Sequence, residues 1–278
     1  MPLPDFLIAG AQKAGTSWLA RMLDQHPQLY LVPQELHFFN KARNYEKGVA
    51  CYEAGFDGAG AGRLAGEKTP NYMWTNAPES GTDLPDSHVR IRQVLPEVKL
   101  IFVLREPVDR AVSAFNHHRR HGRIPPRRSI DEVLCSDAFE ALRRRYGILS
   151  MGRYHTQLSA YLALFDRSQV LTLSFEDDIR REPERALEKS CRFLGVDASF
   201  TFEGEDEVVN RERWSALSMY VNYLAPPLVR ITKRLDRFLP SEGNIYPTDE
   251  TRRRLHAAYR DENERLRELL EEPPSWCL

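Results

Sequence analysis

The first apolar run of the chain, Phe6-Leu7-Ile8-Ala9, ends in Gly10-Ala11-Gln12-Lys13-Ala14-Gly15-Thr16-Ser17, after which Trp18, Leu19, Met22 and Leu23 recur at helical spacing. The pattern predicts strand, glycine loop, helix. A second run, Val98 to Leu104, is almost continuously apolar and of strand length, the pattern of a strand buried on both faces of a parallel sheet. It stops at Arg105-Glu106-Pro107. Beyond it Val108, Ala111, Val112 and Phe115 share one face of a predicted helix whose first turn suits Pro107. Ser129-Ile130-Asp131-Glu132 has the form of a capping box and predicts a helix from about Ile130 toward Arg145. Val170 to Leu173 reads as a further strand, and Glu182-Pro183 opens a helix whose Ala186, Cys191 and Leu194 pack inward before Gly195 ends it. Along Thr248 to Leu270, the residues Leu255, Tyr259, Leu266 and Leu269 line one side of a charged, amphipathic helix. Two stretches, Gly55 to Gly66 and His117 to Arg128, look irregular and read as mobile loops over a site.

Strands alternating with helices predict a doubly wound α/β fold. It is expected to be a single domain over residues 1–278, with a central, mostly parallel sheet flanked by helices and a phosphate-binding loop after the first strand. Composition agrees: 278 residues, 42% hydrophobic and 10% aromatic, belong to an ordinary globular domain and exclude disorder and fibrous folds. The 39 Lys and Arg oppose 40 Asp and Glu, a net charge of −1, which gives no general attraction to nucleic acid or to an anionic membrane. An anionic ligand must then be held by local clusters, and no nucleic-acid partner is expected. No run approaches the roughly 18 apolar residues of a membrane helix and nothing like a signal peptide precedes Phe6, so no membrane insertion is expected. Cys51, Cys135, Cys191 and Cys277 are far apart with no C-x-x-C pair, which predicts reduced thiols in a cytoplasmic protein without a zinc site. The densest basic patch, His117-His118-Arg119-Arg120-His121-Gly122-Arg123 with Arg127-Arg128, reads either as a guide for an anionic ligand or as a solvated face.

Gly10 to Ser17 has the G-x-x-x-x-G spacing of a phosphate-binding loop between a strand and a helix, where backbone N–H groups and the helix dipole favour a phosphate. In a nucleotide triphosphatase the second glycine is followed by Lys and then by a Ser or Thr that holds Mg²⁺. Here Thr16 stands at the lysine position and the lysine lies inside the loop, at Lys13. The second strand ends in Arg105, where an ATP-using site has an Asp that organises magnesium. A cation in that place suits a direct grip on phosphate by a guanidinium, and Ser113 in the next helix offers a hydroxyl to the same group. Each residue has a structural alternative: Lys13 solvated in a turn, Arg105 paired with Glu106 or Asp109, Trp18 in the core beside Met22.

With the loop Gln12 to Trp18, the segment Arg105-Glu106-Pro107-Val108-Asp109-Arg110-Ala111-Val112-Ser113 and the run Phe175-Glu176-Asp177-Asp178 before Pro183, the chain resembles the sulfotransferases that use 3′-phosphoadenosine 5′-phosphosulfate (PAPS). The resemblance runs from residue 5 to about residue 196, and weakly beyond. It implies PAPS as co-substrate, released as adenosine 3′,5′-bisphosphate (PAP), with no metal. By position it assigns Lys13, Ala14, Gly15, Thr16 and Ser17 to the 5′ phosphosulfate end and Arg105 and Ser113 to the 3′ phosphate. Trp18 matches a tryptophan that stacks on adenine, and Phe175 falls near the base.

Pro33-Gln34-Glu35-Leu36-His37-Phe38-Phe39 and Gly66-Glu67-Lys68-Thr69-Pro70-Asn71-Tyr72 resemble the carbohydrate branch of that family, typified by heparan sulfate sulfotransferases. The match implies Glu35 as general base with His37 and Lys68 beside it, and Lys13 and Lys68 as the cations at the transferring group. The branch acting on phenols and steroids has its base histidine where this chain has Pro70. Two departures stand out. Relatives complete the 3′-phosphate site with a basic, glycine-rich loop, whereas Val208 to Trp214 has no glycine and leaves Arg211 or Arg213 as substitutes. The cysteines also do not provide the C-terminal disulfide hairpin of carbohydrate relatives. The expected acceptor is a glycan or small molecule with a free hydroxyl. Two rival readings are an ATP- and Mg²⁺-dependent kinase, opposed by Thr16 and Arg105, and a non-catalytic nucleotide-binding module, opposed by Lys13 and Glu35.

Overall fold

The structure, a computed structural model, describes residues 3–76, 84, 86–205 and 213–277. Its strands are β1 (Phe6–Gly10), β2 (Leu29–Leu31), β3 (Leu64–Lys68), β4 (Lys99–Leu104) and β5 (Val170–Ser174). They form one five-stranded sheet in the order β2-β3-β1-β4-β5, with every pairing parallel and helices flanking the sheet. Every residue of β1 is buried, as is all of β4 after Lys99, which explains the near-continuous apolar runs of these two central strands.

The apolar pattern finds β1, β4 and β5 and misses β2 and β3. Leu29–Leu31 is only three residues long, and Leu64–Lys68 mixes a glycine and two charged residues into its five positions. The glycine is a close-approach position: a Cβ on Gly66 would stand 2.2 Å from the Phe6 ring. The stretch Gly55 to Gly66 is therefore not a mobile loop. It holds the 3₁₀ turn Ala54–Ala59, which buries Phe56 and Ala59, and the start of β3.

Contacts gather the chain into two compact units. The first, Met1–Glu106 with Arg153–Glu207 and Arg260–Leu278, holds the whole sheet. Its helix Thr16–Leu23 buries Trp18, Leu19, Met22 and Leu23, the face that the periodicity predicts. The helix Pro183–Leu194 opens on a proline, buries Ala186, Leu187, Cys191 and Leu194, and ends at Gly195 with φ 83°, a left-handed cap that glycine adopts without strain.

The second unit, Pro107–Gly152 with Val208–Tyr259, has its own core. Val108, Val112 and Phe115 from the helix Pro107–Arg120 pack with Ile130, Val133, Ile148, Leu255 and Tyr259. The basic stretch from His117 begins inside that helix rather than in a loop. The helix expected from Ile130 to Arg145 is broken: Ile130–Cys135 ends at Ser136, which is extended (ψ 139°) and accepts from the Ala138 N–H to open the turn Asp137–Phe139 before Glu140–Arg145. A serine hydroxyl competes with helix continuation by capping a new start. At Ser129 the hydroxyl accepts from the Asp131 N–H, while Glu132 pairs with Arg128. The helix Asp249–Leu269 buries Leu255, Tyr259 and Leu266 as the spacing predicts. All four cysteines are free thiols.

Candidate active site

Each of the five parallel strands delivers a candidate residue just beyond, or at, its carboxyl end: Glu35 after β2, Lys68 ending β3, Lys13 after β1, Arg105 after β4 and Phe175 after β5. This is the edge of an open α/β sheet where ligands bind. All five belong to the first unit.

The loop after β1 is tied down at its start, where the Ala11 N–H donates to the Val103 carbonyl at 2.8 Å. Lys13 (φ 69°) and Gly15 (φ 95°) are both left-handed, and a Cβ on Gly15 would lie 2.8 Å from the Phe175 ring. The helix Thr16–Leu23 follows at once with no side-chain cap on its first N–H groups. Such a loop and helix start form an anion cradle.

Arg105 adjoins it. Its Nη1 donates to the Lys13 carbonyl at 3.3 Å, and its guanidinium carbon lies 4.8 Å from the centre of the Phe175 ring. The Nε is buried with no hydrogen-bond acceptor, and a carboxylate oxygen of Glu176 is 4.0 Å away. Asp109, one of the partners considered for Arg105, pairs with Arg252 at 2.9 Å. Glu176 accepts from the Glu106 N–H at 3.3 Å; burial holds its carboxyl above the usual carboxylate range, against that bond and the Arg105 charge.

The second cluster joins three of the predicted residues. Glu35 Oε1 lies 2.6 Å from Lys68 Nζ and Oε2 lies 3.2 Å from His37 Nε2. Lys68 Nζ also donates to Ser17 Oγ at 3.2 Å, and His37 Nδ1 lies 3.2 Å from Asn40 Oδ1. Lys68 thus bridges the carboxylate to the phosphate-type loop. Burial raises the Glu35 carboxyl, but hydrogen bonds and charge from His37 and Lys68 outweigh it and hold the group below the usual carboxylate range. With its side chain 32% exposed, Glu35 is an ionised acceptor open to a ligand.

Behind it stands a residue that sequence reasoning missed. Glu67 is fully buried, its Oε1 accepting from Thr69 Oγ1 (2.6 Å) and Tyr72 Oη (2.7 Å) and its Oε2 from Tyr52 Oη (2.5 Å). The same hydroxyls accept backbone N–H groups of the Glu35 segment, Phe38 on Tyr72 at 2.8 Å and His37 on Thr69 at 3.5 Å. Burial pushes the Glu67 carboxyl up, opposed by the three hydroxyl donors. Alternation along β3 sends Glu67 and Lys68 to opposite faces, a signal available only once β3 is seen as a strand.

The remaining predicted residues each lie within their own unit. Trp18 is buried, its indole N–H donating to the Glu205 carbonyl at 2.9 Å. Ser113 is half-buried on the helix Pro107–Arg120 of the second unit. Arg213, also in that unit, is exposed and donates to the Leu239 carbonyl at 3.3 Å, and Arg211 falls outside the described residues.

A parallel sheet whose first strand runs through an anion-cradling loop into a helix is a P-loop-like fold. Residues 3–226 match the Sulfotransferase domain family, and the chain belongs to that family. Among curated relatives, mouse bifunctional heparan sulfate N-deacetylase/N-sulfotransferase 4 is 30% identical over 99% of this chain and 31% of its own length. Mouse heparan sulfate glucosamine 3-O-sulfotransferase 3B1 is 30% identical over 70% of this chain and 46% of its own. The chain thus spans less than half the length of either relative. A sulfotransferase from Alicyclobacillus acidocaldarius superposes with a TM-score of 0.72 at 25% identity, covering 99% of both chains.

Proposed function

We propose that the protein transfers a sulfuryl group from PAPS to a hydroxyl of a glycan or small-molecule acceptor. The observation that carries the reading is the ionised Glu35 held between His37 and Lys68, with Lys68 reaching the loop at Ser17. Family membership and the heparan sulfate activities named for the relatives support it. The residues suit a multiply anionic nucleotide: a glycine-permitted loop, an uncapped helix start and an Arg105 Nε–H with no acceptor. PAPS supplies the sulfuryl group on a phosphate leaving group.

In this reading Lys13, Ala14, Gly15, Thr16 and Ser17 hold the 5′ end and Arg105 the 3′ phosphate. Phe175 and Trp18 flank the adenine; Ser113, Arg211 and Arg213 are candidates on sequence alone. Glu35 takes the proton of the acceptor hydroxyl, and His37, bonded to its second oxygen, fixes the carboxylate. Lys13 and Lys68 place positive charge at the transferring group, so no metal is needed. Glu67 positions the Glu35 segment through Tyr72 and Thr69. We read residues 1–278 as one sulfotransferase-like domain, since the family match runs through both units, and place it in the cytoplasm, where four free thiols persist.

Ligand-induced thermal stabilisation tests the reading, because a ligand bound only by the folded state raises its apparent stability. PAP is expected to raise the melting temperature more than ADP or AMP, and Arg105→Ala to abolish the preference. Equal shifts from all three nucleotides would defeat the assignment.

A further inference from the structure

From Leu224 to Phe238 the second unit carries a row of apolar side chains on its outside. Leu224 is 74% exposed, Ile231 64% and Phe238 72%, with Leu228 and Leu235 exposed between them. From Leu228 onward the spacing, three, four and three residues, follows one side of a helical chain. Ala225 is non-helical (φ −146°, ψ 67°) and ends the preceding helix at Leu224; the backbone is helical again through the turn Pro226–Leu228, the helix Val229–Lys233 and further turns in which the Leu235 and Phe238 N–H groups donate to the carbonyls of Thr232 and Leu235, both at 2.9 Å. Large apolar side chains exposed in succession along one segment mark an interaction surface.

Charge identifies the partner. The same segment holds Arg230, Lys233, Arg234 and Arg237 against the single acid Asp236, a local +3 (four minus one) in a chain of net −1. Asp236 is buried and spent on Ser215, Ser218 and Lys233, so no negative charge is presented. Arg230, Arg234 and Arg237 are exposed, and the Arg237 guanidinium lies 4.5 Å over the Phe238 ring. Exposed leucine, isoleucine and phenylalanine interleaved with arginine describe a segment that lies in a membrane interface, with the cations reaching the headgroups. Such a segment does not span the bilayer. Among the described residues no helix is long and apolar enough to do so.

We propose that Leu224–Phe238 docks the protein on a bilayer surface containing anionic lipid, whatever reaction the first unit performs. Co-sedimentation of the full chain with vesicles of phosphatidylcholine, alone or mixed with phosphatidylglycerol, tests it. Binding to the mixed vesicles is expected, with little to the neutral ones and a loss in high salt. Ile231→Ser with Phe238→Ser should weaken partitioning by about tenfold or more, and Arg230→Ala with Arg234→Ala by about fivefold per cation, both at unchanged melting temperature. No sedimentation with the mixed vesicles, or undiminished binding by the serine variant, overturns the proposal. A dimer in light scattering that the serine variant dissociates, without vesicle binding, would assign the face to a second copy. Binding to soluble dextran sulfate alone would reduce it to a polyanion site.

Discussion

Glu35 and Glu67 are two carboxylates whose surroundings drive them in opposite directions. Glu35 is held low by His37 and Lys68, so its ionised form stabilises the fold above the usual carboxylate range, and that contribution is lost as pH falls through its lowered value. The Glu35 carboxylate is therefore charged throughout the neutral range, and if it takes the acceptor proton as proposed, the acid limb of kcat/KM should fall below the usual carboxylate range. Glu35→Gln is expected to lose about 10²- to 10⁴-fold in turnover while PAP binding survives, measured as kcat beside the thermal shift; unchanged turnover would remove Glu35 from the role. Glu67 is raised by burial, so its ionisation costs stability as pH rises through its folded value. Its three hydroxyl donors would be left without an acceptor in Glu67→Ala, which should cost about 3 kcal/mol or more in denaturant unfolding. Glu35, His37 and Lys68 were legible through the family resemblance of two short motifs, Pro33 to Phe39 and Gly66 to Tyr72, which the fold brings together across 33 residues. Glu67 was not, because its importance lies in Tyr52 and Tyr72, brought to it only by the fold.

At the scale of elements, the loop after β1 depends on Gly15 twice, for its φ of 95° and for the absence of a Cβ against Phe175. Gly15→Ala should lower stability by about 1–2 kcal/mol through the left-handed backbone alone, and the crowding of Phe175 adds to it. Phe175→Ala in that background should relieve the crowding and leave the backbone cost, which paired melting curves resolve. Full recovery would mean that the φ carries no strain. Among the elements read correctly, the clearest signals were the buried runs of β1 and β4, and Pro183–Leu194 with proline at one end and Gly195 at the other. Each miss has its own physical cause. β2 is too short to show a period, Gly66 and Glu67 interrupt the apolar pattern of β3, and Ser136 caps a new start inside a stretch whose composition favours one helix.

Across the whole molecule the sheet order β3-β1-β4 sets three cations side by side at one edge, with Lys68 ending β3, Lys13 following β1 and Arg105 following β4. A net charge of −1 attracts no anion from a distance, so binding must come from this local set. In loops that use ATP the same region relies on Mg²⁺, held by a hydroxyl after the loop lysine and an acid at the end of the neighbouring strand. This chain has Thr16 where that lysine would stand and Arg105 where that acid would be, and a guanidinium there repels a divalent cation. Turnover with PAPS is accordingly expected to be unchanged by excess EDTA and not increased by added Mg²⁺, while salt, which screens partly exposed charges, should raise the KM for PAPS. Loss of PAPS turnover in EDTA with recovery on Mg²⁺ would overturn the metal-free reading, and phosphoryl transfer from ATP with the same metal dependence would favour a kinase, in which Arg105 would have to pair with a protein carboxylate rather than with the nucleotide.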